Sequence, residues 1–129
     1  MPTPILLDTQ VVLTAYFGDL KDLPRKVQFM LGDIDNDLLI STITMMEIAT
    51  KNSIGKLKMG EAETQEAIRD LRLSVLPFDT RHAYRMFSLP LHHRDPFDRM
   101  IIATALGEDI PVIAADREFK KYKGLKVIW

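Results

Sequence analysis

Apolar residues fall along the chain in short unbroken runs separated by longer stretches in which they recur every three or four positions. Ile5-Leu6-Leu7, Leu38-Leu39-Ile40 and Ile110-Pro111-Val112-Ile113-Ala114-Ala115 are runs suited to buried strands. Val75-Leu76-Pro77-Phe78 reads as a fourth strand, moved towards an edge by its proline. Leu125-Lys126-Val127-Ile128-Trp129 closes the chain as a fifth. Between the runs, Val11, Val12, Ala15 and Tyr16 mark one helix, and Val27, Met30 and Leu31 mark another opened by Leu23-Pro24. Ser41, Thr42 and Thr44 all offer N-caps to a third helix, which carries Glu47 in its first turn. Residues 61 to 73 form a charged amphipathic helix after a lysine-rich linker bracketed by Gly55 and Gly60, and Asp79 or Thr80 caps a helix to about Ser88.

The most apolar helix begins at Pro96, a residue suited to the first helical position because its missing N–H would be unpaired there. Asp95 is then the cap, Asp98 the third helical residue, and Gly107 the expected stop. Met100, Ile101, Ile102, Ala103, Ala105 and Leu106 leave this helix almost no polar face, so it is expected to be buried, with Asp98 where it meets the surface.

Strands alternating with helices over the whole length predict an α/β fold, a three-layer α/β/α sandwich with a mainly parallel central sheet. A chain of 129 residues, 47% hydrophobic, is expected to form one domain, residues 1–129. The absence of cysteine excludes disulfides and thiolate metal sites, leaving oxygen and histidine as metal ligands. No apolar run suits a membrane span and the start lacks a signal-peptide pattern, so a cytoplasmic protein with no membrane partner is expected. A net charge of −1 argues against adhesion to nucleic acid through overall charge. It leaves room for local basic rims at Lys51, Lys56 and Lys58 and at Arg117, Lys120, Lys121, Lys123 and Lys126, which read equally as solvated faces.

In an open parallel sheet, ligands bind outside the carboxyl ends of the strands. Asp8, Glu47 and Asp116 all follow strands at that rim, and Asp98 is expected to join them. Each also has a plain structural reading, since Thr44-x-x-Glu47 and Asp95-x-x-Asp98 fit capping boxes. The plain reading is weakest for Asp8, because an acid closing a buried strand needs partners to offset its desolvation. Like charges at about 4 Å repel by about 4 kcal/mol at an effective dielectric of 20, and a bound cation removes that penalty. Hard ions such as Mg²⁺ or Mn²⁺ prefer such oxygen ligands, and they serve phosphoryl chemistry by activating water and neutralising the leaving oxygen.

These residues carry a family resemblance. The chain resembles the PIN-domain family, and within it the VapC-like toxin ribonucleases of toxin–antitoxin pairs, over essentially its full length. Leu6-Leu7-Asp8-Thr9 is similar to the family's first acidic motif, and Ser41 through Glu47-Ile48-Ala49 with Lys51 and Gly55-Lys56-Leu57 to the second. His93-Arg94-Asp95-Pro96-Phe97-Asp98-Arg99 resembles the H-x-D-P-F-D-R signature of one branch, and Asp116, Phe119, Tyr122 and Val127-Ile128-Trp129 resemble that branch's ending. The resemblance implies Asp8, Glu47, Asp98 and Asp116 as catalytic, metal-binding acids for Mg²⁺ or Mn²⁺, an RNA substrate, a cognate protein antitoxin and a homodimer. Ala114 departs from the pattern, since many relatives carry Ser or Thr two residues before the fourth acid.

Asp95, Thr9, His93, Arg99 and Lys51 are candidates to support the acids or contact RNA, with Arg99 expected to pair with a site carboxylate or a phosphate. Trp129 reads as packing. Two other readings stay open. A PIN-like module could bind RNA or protein without cutting. A phosphatase or receiver-type phosphotransfer domain also places an aspartate after its first strand, but the phosphatase needs a second aspartate where this chain has Gln10, and the receiver needs an acidic pair that Ile5-Leu6-Leu7 does not offer.

Overall fold

The alternation of side chains along each strand decides how this molecule layers. The computed structural model describes residues 2–129. Five strands, β1 (Thr3–Leu7), β2 (Asn36–Ser41), β3 (Ser74–Leu76), β4 (Val112–Ile113) and β5 (Val127–Ile128), form one sheet in the order β3-β2-β1-β4-β5. Every pairing in it is parallel. Leu6, Leu39 and Val112 point into one core cluster, while their neighbours Ile5, Leu7, Leu38, Ile40 and Ile113 point into another. The period of two thus divides each strand between two apolar layers.

Helices cover both layers, giving an α/β/α sandwich. On the Leu6 side lie Ile101, Ile102 and Ala105 of α6 (Pro96–Glu108), joined by Phe119 and Tyr122 from a 3₁₀ turn (Arg117–Lys121) and its end. On the Leu7 side lie Val11 and Val12 of α1 (Thr9–Phe17), Val27 of α2 (Arg25–Gly32) and Ile68 of α4 (Glu61–Asp70). The helix α3 (Thr42–Ser53) sends Ile43 to the first layer and Met45 to the second, and α5 (Thr80–Arg85) packs against α6. No helix among the described residues is long and apolar enough to cross a membrane.

Three expectations are corrected. Gly107 does not stop α6, which runs to Glu108 and ends on Asp109 in the left-handed region at φ 54°. Glycine is needed at 107 for a different reason, because a Cβ there would lie 2.9 Å from Cδ2 of the fully buried His82. The charged helix ends at Asp70, and Arg72 turns the chain at φ 55° into β3, which is an edge strand as its proline suggested. Ser41, rather than Thr44, caps α3, its hydroxyl accepting the Ile43 N–H at 2.9 Å, so Glu47 lies in the second turn.

The sheet order sets the location of a site. β1 lies between β2 and β4, and the strand order reverses between β1 and β4, leaving a crevice at their carboxyl ends. Asp8 follows β1 directly and Asp116 follows β4 by three residues.

Candidate active site

The four expected acids meet at that crevice. Asp8, Glu47, Asp98 and Asp116 line one cleft of about 390 Å³, with Asp95 and Lys51 also on its wall. Asp8 and Glu47 are each only 4% exposed and so are withdrawn from bulk water. Two of the acids cap helical segments while lining the cleft. Asp8 Oδ1 accepts the Val11 N–H at 2.9 Å, and Asp116 Oδ1 accepts the Glu118 N–H at 2.9 Å. The capping and site readings are therefore compatible, since one oxygen makes the cap and the second remains for the cleft.

Asp95 and Asp98 do not form the reciprocal box that their spacing suggested. Asp95 Oδ1 accepts from the N–H groups of Phe97 (2.8 Å) and Asp98 (3.3 Å), but its own N–H goes to His93 Nδ1 at 3.1 Å. The Asp98 carboxylate is thereby released to the cleft, where its Oδ2 lies 3.0 Å from His93 Nε2. Thr44-x-x-Glu47 is not a box either. The Thr44 hydroxyl bonds that of Thr9 at 3.0 Å, tying α3 to α1 in the interior.

Glu47 is the least satisfied member. Its Oε2 accepts from Lys51 Nζ at 2.8 Å, one helical turn on, while Oε1 is buried with no hydrogen-bond partner. It is the one buried side-chain polar atom so placed among the described residues. A buried acceptor without a donor carries a desolvation penalty of about 1–3 kcal/mol, more for a charged group, which a cation in the cleft would relieve.

Burial pushes the Asp8 carboxyl from 3.8 up to about 7, against the Val11 N–H and reinforced by the charges of Asp98, Glu47 and Asp116. Burial also pushes Asp98 up to about 6, with Asp95 adding to the rise and His93 opposing it. The hydrogen bond to Glu47 raises the Lys51 ammonium above its ordinary value. Acids that resist ionisation because they are buried, with neighbouring acids adding to the rise, form a centre short of positive charge. The donors facing it are carboxylate oxygens, the chemistry of a hard divalent ion, and the residues present fit one.

Arg99 departs from expectation. Its guanidinium donates to the backbone carbonyl of Pro90 at 3.0 Å and not to a site carboxylate, so it fastens the loop before α6. Ala114 packs in the Leu6-side core, and Asp116 takes its polar support from His93 Nε2 at 2.9 Å. Tyr122 and Gln10 were not singled out for the site. Tyr122 hydroxyl accepts the His93 N–H at 2.9 Å, and Gln10 lines the cleft. Gln10 could have been found from its position in the first turn after Asp8, whereas the Tyr122 contact spans 29 residues and has no local signal. A second cluster, Asp79, His82 and Glu108, lies apart and is paired internally through Arg81.

The PIN domain family matches residues 5–125. The chain belongs to that family. Similar solved structures include VapBC2 from Rickettsia felis bound to a promoter DNA fragment, at 18% identity and a TM-score of 0.72, covering 98% of this chain and 99% of that one. DNA-bound VapBC from Salmonella typhimurium is 22% identical with a TM-score of 0.68, covering 99% and 98%. VapBC-5 from Mycobacterium tuberculosis, a member of the VapBC family of toxin–antitoxin systems, is 19% identical with a TM-score of 0.62, covering 98% of each chain. At these identities the likeness is one of fold. No curated protein matches the sequence significantly.

Proposed function

We propose that this PIN domain is a VapC-like toxin, a metal-dependent endoribonuclease that hydrolyses RNA phosphodiester bonds and is restrained by a cognate protein antitoxin. The observation that carries the reading is the buried, unpartnered Oε1 of Glu47 in a cleft otherwise walled by Asp8, Asp98 and Asp116. Those four acids would hold Mg²⁺ or Mn²⁺. When bound, the ion supplies a water of lowered pKa and neutralises charge developing on the phosphoryl oxygens.

The chain's own residues prepare the site for that ion. Asp8, with its carboxyl raised to about 7, keeps a proton on about half of the molecules near neutrality and would give it up to a cation, while Asp98, raised to about 6, holds one only in mildly acidic solution. Lys51 offsets one Glu47 oxygen and leaves the other for the ion. Exposed Arg117, Lys120 and Lys123, just beyond Asp116, give a basic rim against which an RNA backbone would be positioned.

The full-length likeness to VapBC structures supports the antitoxin partner. Tyr84, Phe87 and Leu91, exposed at 70%, 89% and 71%, supply apolar surface suited to a homodimer contact.

Expression of the chain in a bacterial host tests the reading. Induction is expected to arrest growth with fragmentation of cellular RNA, and Asp98→Asn is expected to abolish both. Co-expression of a protein encoded in the adjacent reading frame is expected to restore growth. Arrest that persists in Asp98→Asn with intact RNA would overturn the nuclease reading.

A further inference from the structure

His93 is gripped from several sides. Its backbone N–H donates to the Tyr122 hydroxyl at 2.9 Å, its ring meets Phe119 edge-on with centroids 5.9 Å apart, and its Nδ1 accepts the Asp95 N–H at 3.1 Å. The last contact assigns the tautomer. A nitrogen that accepts a backbone N–H carries no proton, so in the neutral ring the proton is on Nε2. Nε2 reaches Asp116 Oδ2 at 2.9 Å and Asp98 Oδ2 at 3.0 Å, two acids from different elements.

Asp116 needs such a tether. Its side chain is 41% exposed, whereas that of His93 is 12% exposed. It sits at the start of a five-residue 3₁₀ turn, and Ala114 supplies no hydroxyl near it. We propose that His93 is a positioning residue that fixes Asp116 beside Asp98 through its Nε2–H, and that it does not itself ligate the metal. The alternative, a nitrogen ligand, is open on distance alone, because His93, Asp98 and Asp116 offer atoms within 4.8 Å of one another. The backbone donor at Nδ1 decides against it by making Nε2 the donor. Groups that hydrogen-bond a metal ligand orient it, and loss of such a supporting contact lowers metal affinity by about 10–100-fold. This inference rests on the metal-centre reading above.

Two substitutions separate the ends of the ring. His93→Asn keeps an acceptor near Nδ1 for the Asp95 N–H and removes the far donor. His93→Gln keeps a donor near Nε2. Mn²⁺ binding, followed by electron paramagnetic resonance on the full chain, is expected to weaken by about 10–100-fold in His93→Asn and to stay close to wild type in His93→Gln, with thermal unfolding confirming that both fold. Electron spin-echo modulation of the bound Mn²⁺ is expected to show no directly coordinated nitrogen.

Unchanged affinity in His93→Asn, or equal losses in both folded variants, would reduce His93 to a loop peg and overturn the proposal alone. A coordinated nitrogen lost on substitution of His93 would make it a ligand and also overturn the proposal alone. Failure of the wild-type chain to bind Mn²⁺ would remove the metal-centre reading and this proposal with it.

Discussion

Lys51 Nζ lies 2.8 Å from Glu47 Oε2, one turn further along α3, while the other oxygen of the same carboxylate is buried and unpartnered. The two halves of Glu47 thus differ, one satisfied within the protein and the other open to the proposed cation. Lys51→Met is expected to destabilise the metal-free protein by about 1 kcal/mol, a discounted figure because the lysine is 42% exposed. The Lys51 ammonium is raised in the fold, so its contribution is fully present below 10.5 and is lost only as pH rises through the folded value. Urea unfolding at neutral pH, with and without saturating Mn²⁺, checks this: the deficit should narrow when the ion is present.

Asp8→Asn is expected to stabilise the metal-free protein. With its carboxyl raised to about 7, Asp8 binds a proton in the fold that the unfolded chain releases above 3.8. Stability therefore falls as pH rises between those values, and a neutral asparagine, which still accepts the Val11 N–H, escapes the loss. At about 1.4 kcal/mol per pKa unit the gain at pH 7.5 is on the order of 2–4 kcal/mol, vanishing below about pH 4. Denaturant unfolding in chelator at the two pH values checks it.

Metal should narrow or close that gap. Saturating wild type at about 100 times the dissociation constant is expected to add about 2.7 kcal/mol of stability, and Asp8→Asn should gain far less. Affinity should weaken as pH falls from 8 to 5.5, because Asp8 and Asp98, raised to about 7 and about 6, must lose protons to bind the ion. Isothermal titration across that range reads both effects.

Gly107→Ala tests a contact far from the chemistry. Alanine favours a helix by about 1 kcal/mol over glycine, but its Cβ would sit 2.9 Å from His82 Cδ2 in a fully buried ring. Overpacking of this kind costs about 1–3 kcal/mol, so a net loss of stability is expected in thermal unfolding, with Mn²⁺ affinity unchanged.

Much of the candidate site was legible because two of its acids follow strands and a third opens a helix. Asp8 closes β1, Asp116 follows β4, and Pro96 announces both the cap at Asp95 and the inward start of α6, so a parallel sheet gathers these acids at one edge. The burial of Ile5, Leu6 and Leu7 on alternating faces of the sheet was equally implicit, as a run apolar on every residue must be covered on both sides.

What escaped depends on partners distant along the chain or on competition between equivalent ones. Ser41, Thr42 and Thr44 all cap well, and only the register of β2 into α3 selects Ser41 and moves Glu47 one turn inward. Gly107 resembles a helix stop until His82 from α5 is packed against it. Asp95-x-x-Asp98 fits a capping box until His93 takes the Asp95 N–H, and Arg99 resembles a site cation until the loop carbonyl of Pro90 claims it.

Cleavage of purified RNA by the isolated chain tests the central claim most directly. The four-acid centre predicts fragmentation with Mn²⁺ or Mg²⁺, none with chelator, and none with metal for Asp8→Asn or Glu47→Gln, although both variants fold. Fragmentation that survives chelation, or that both variants retain, would contradict it, as would intact RNA from a folded wild-type chain with metal bound.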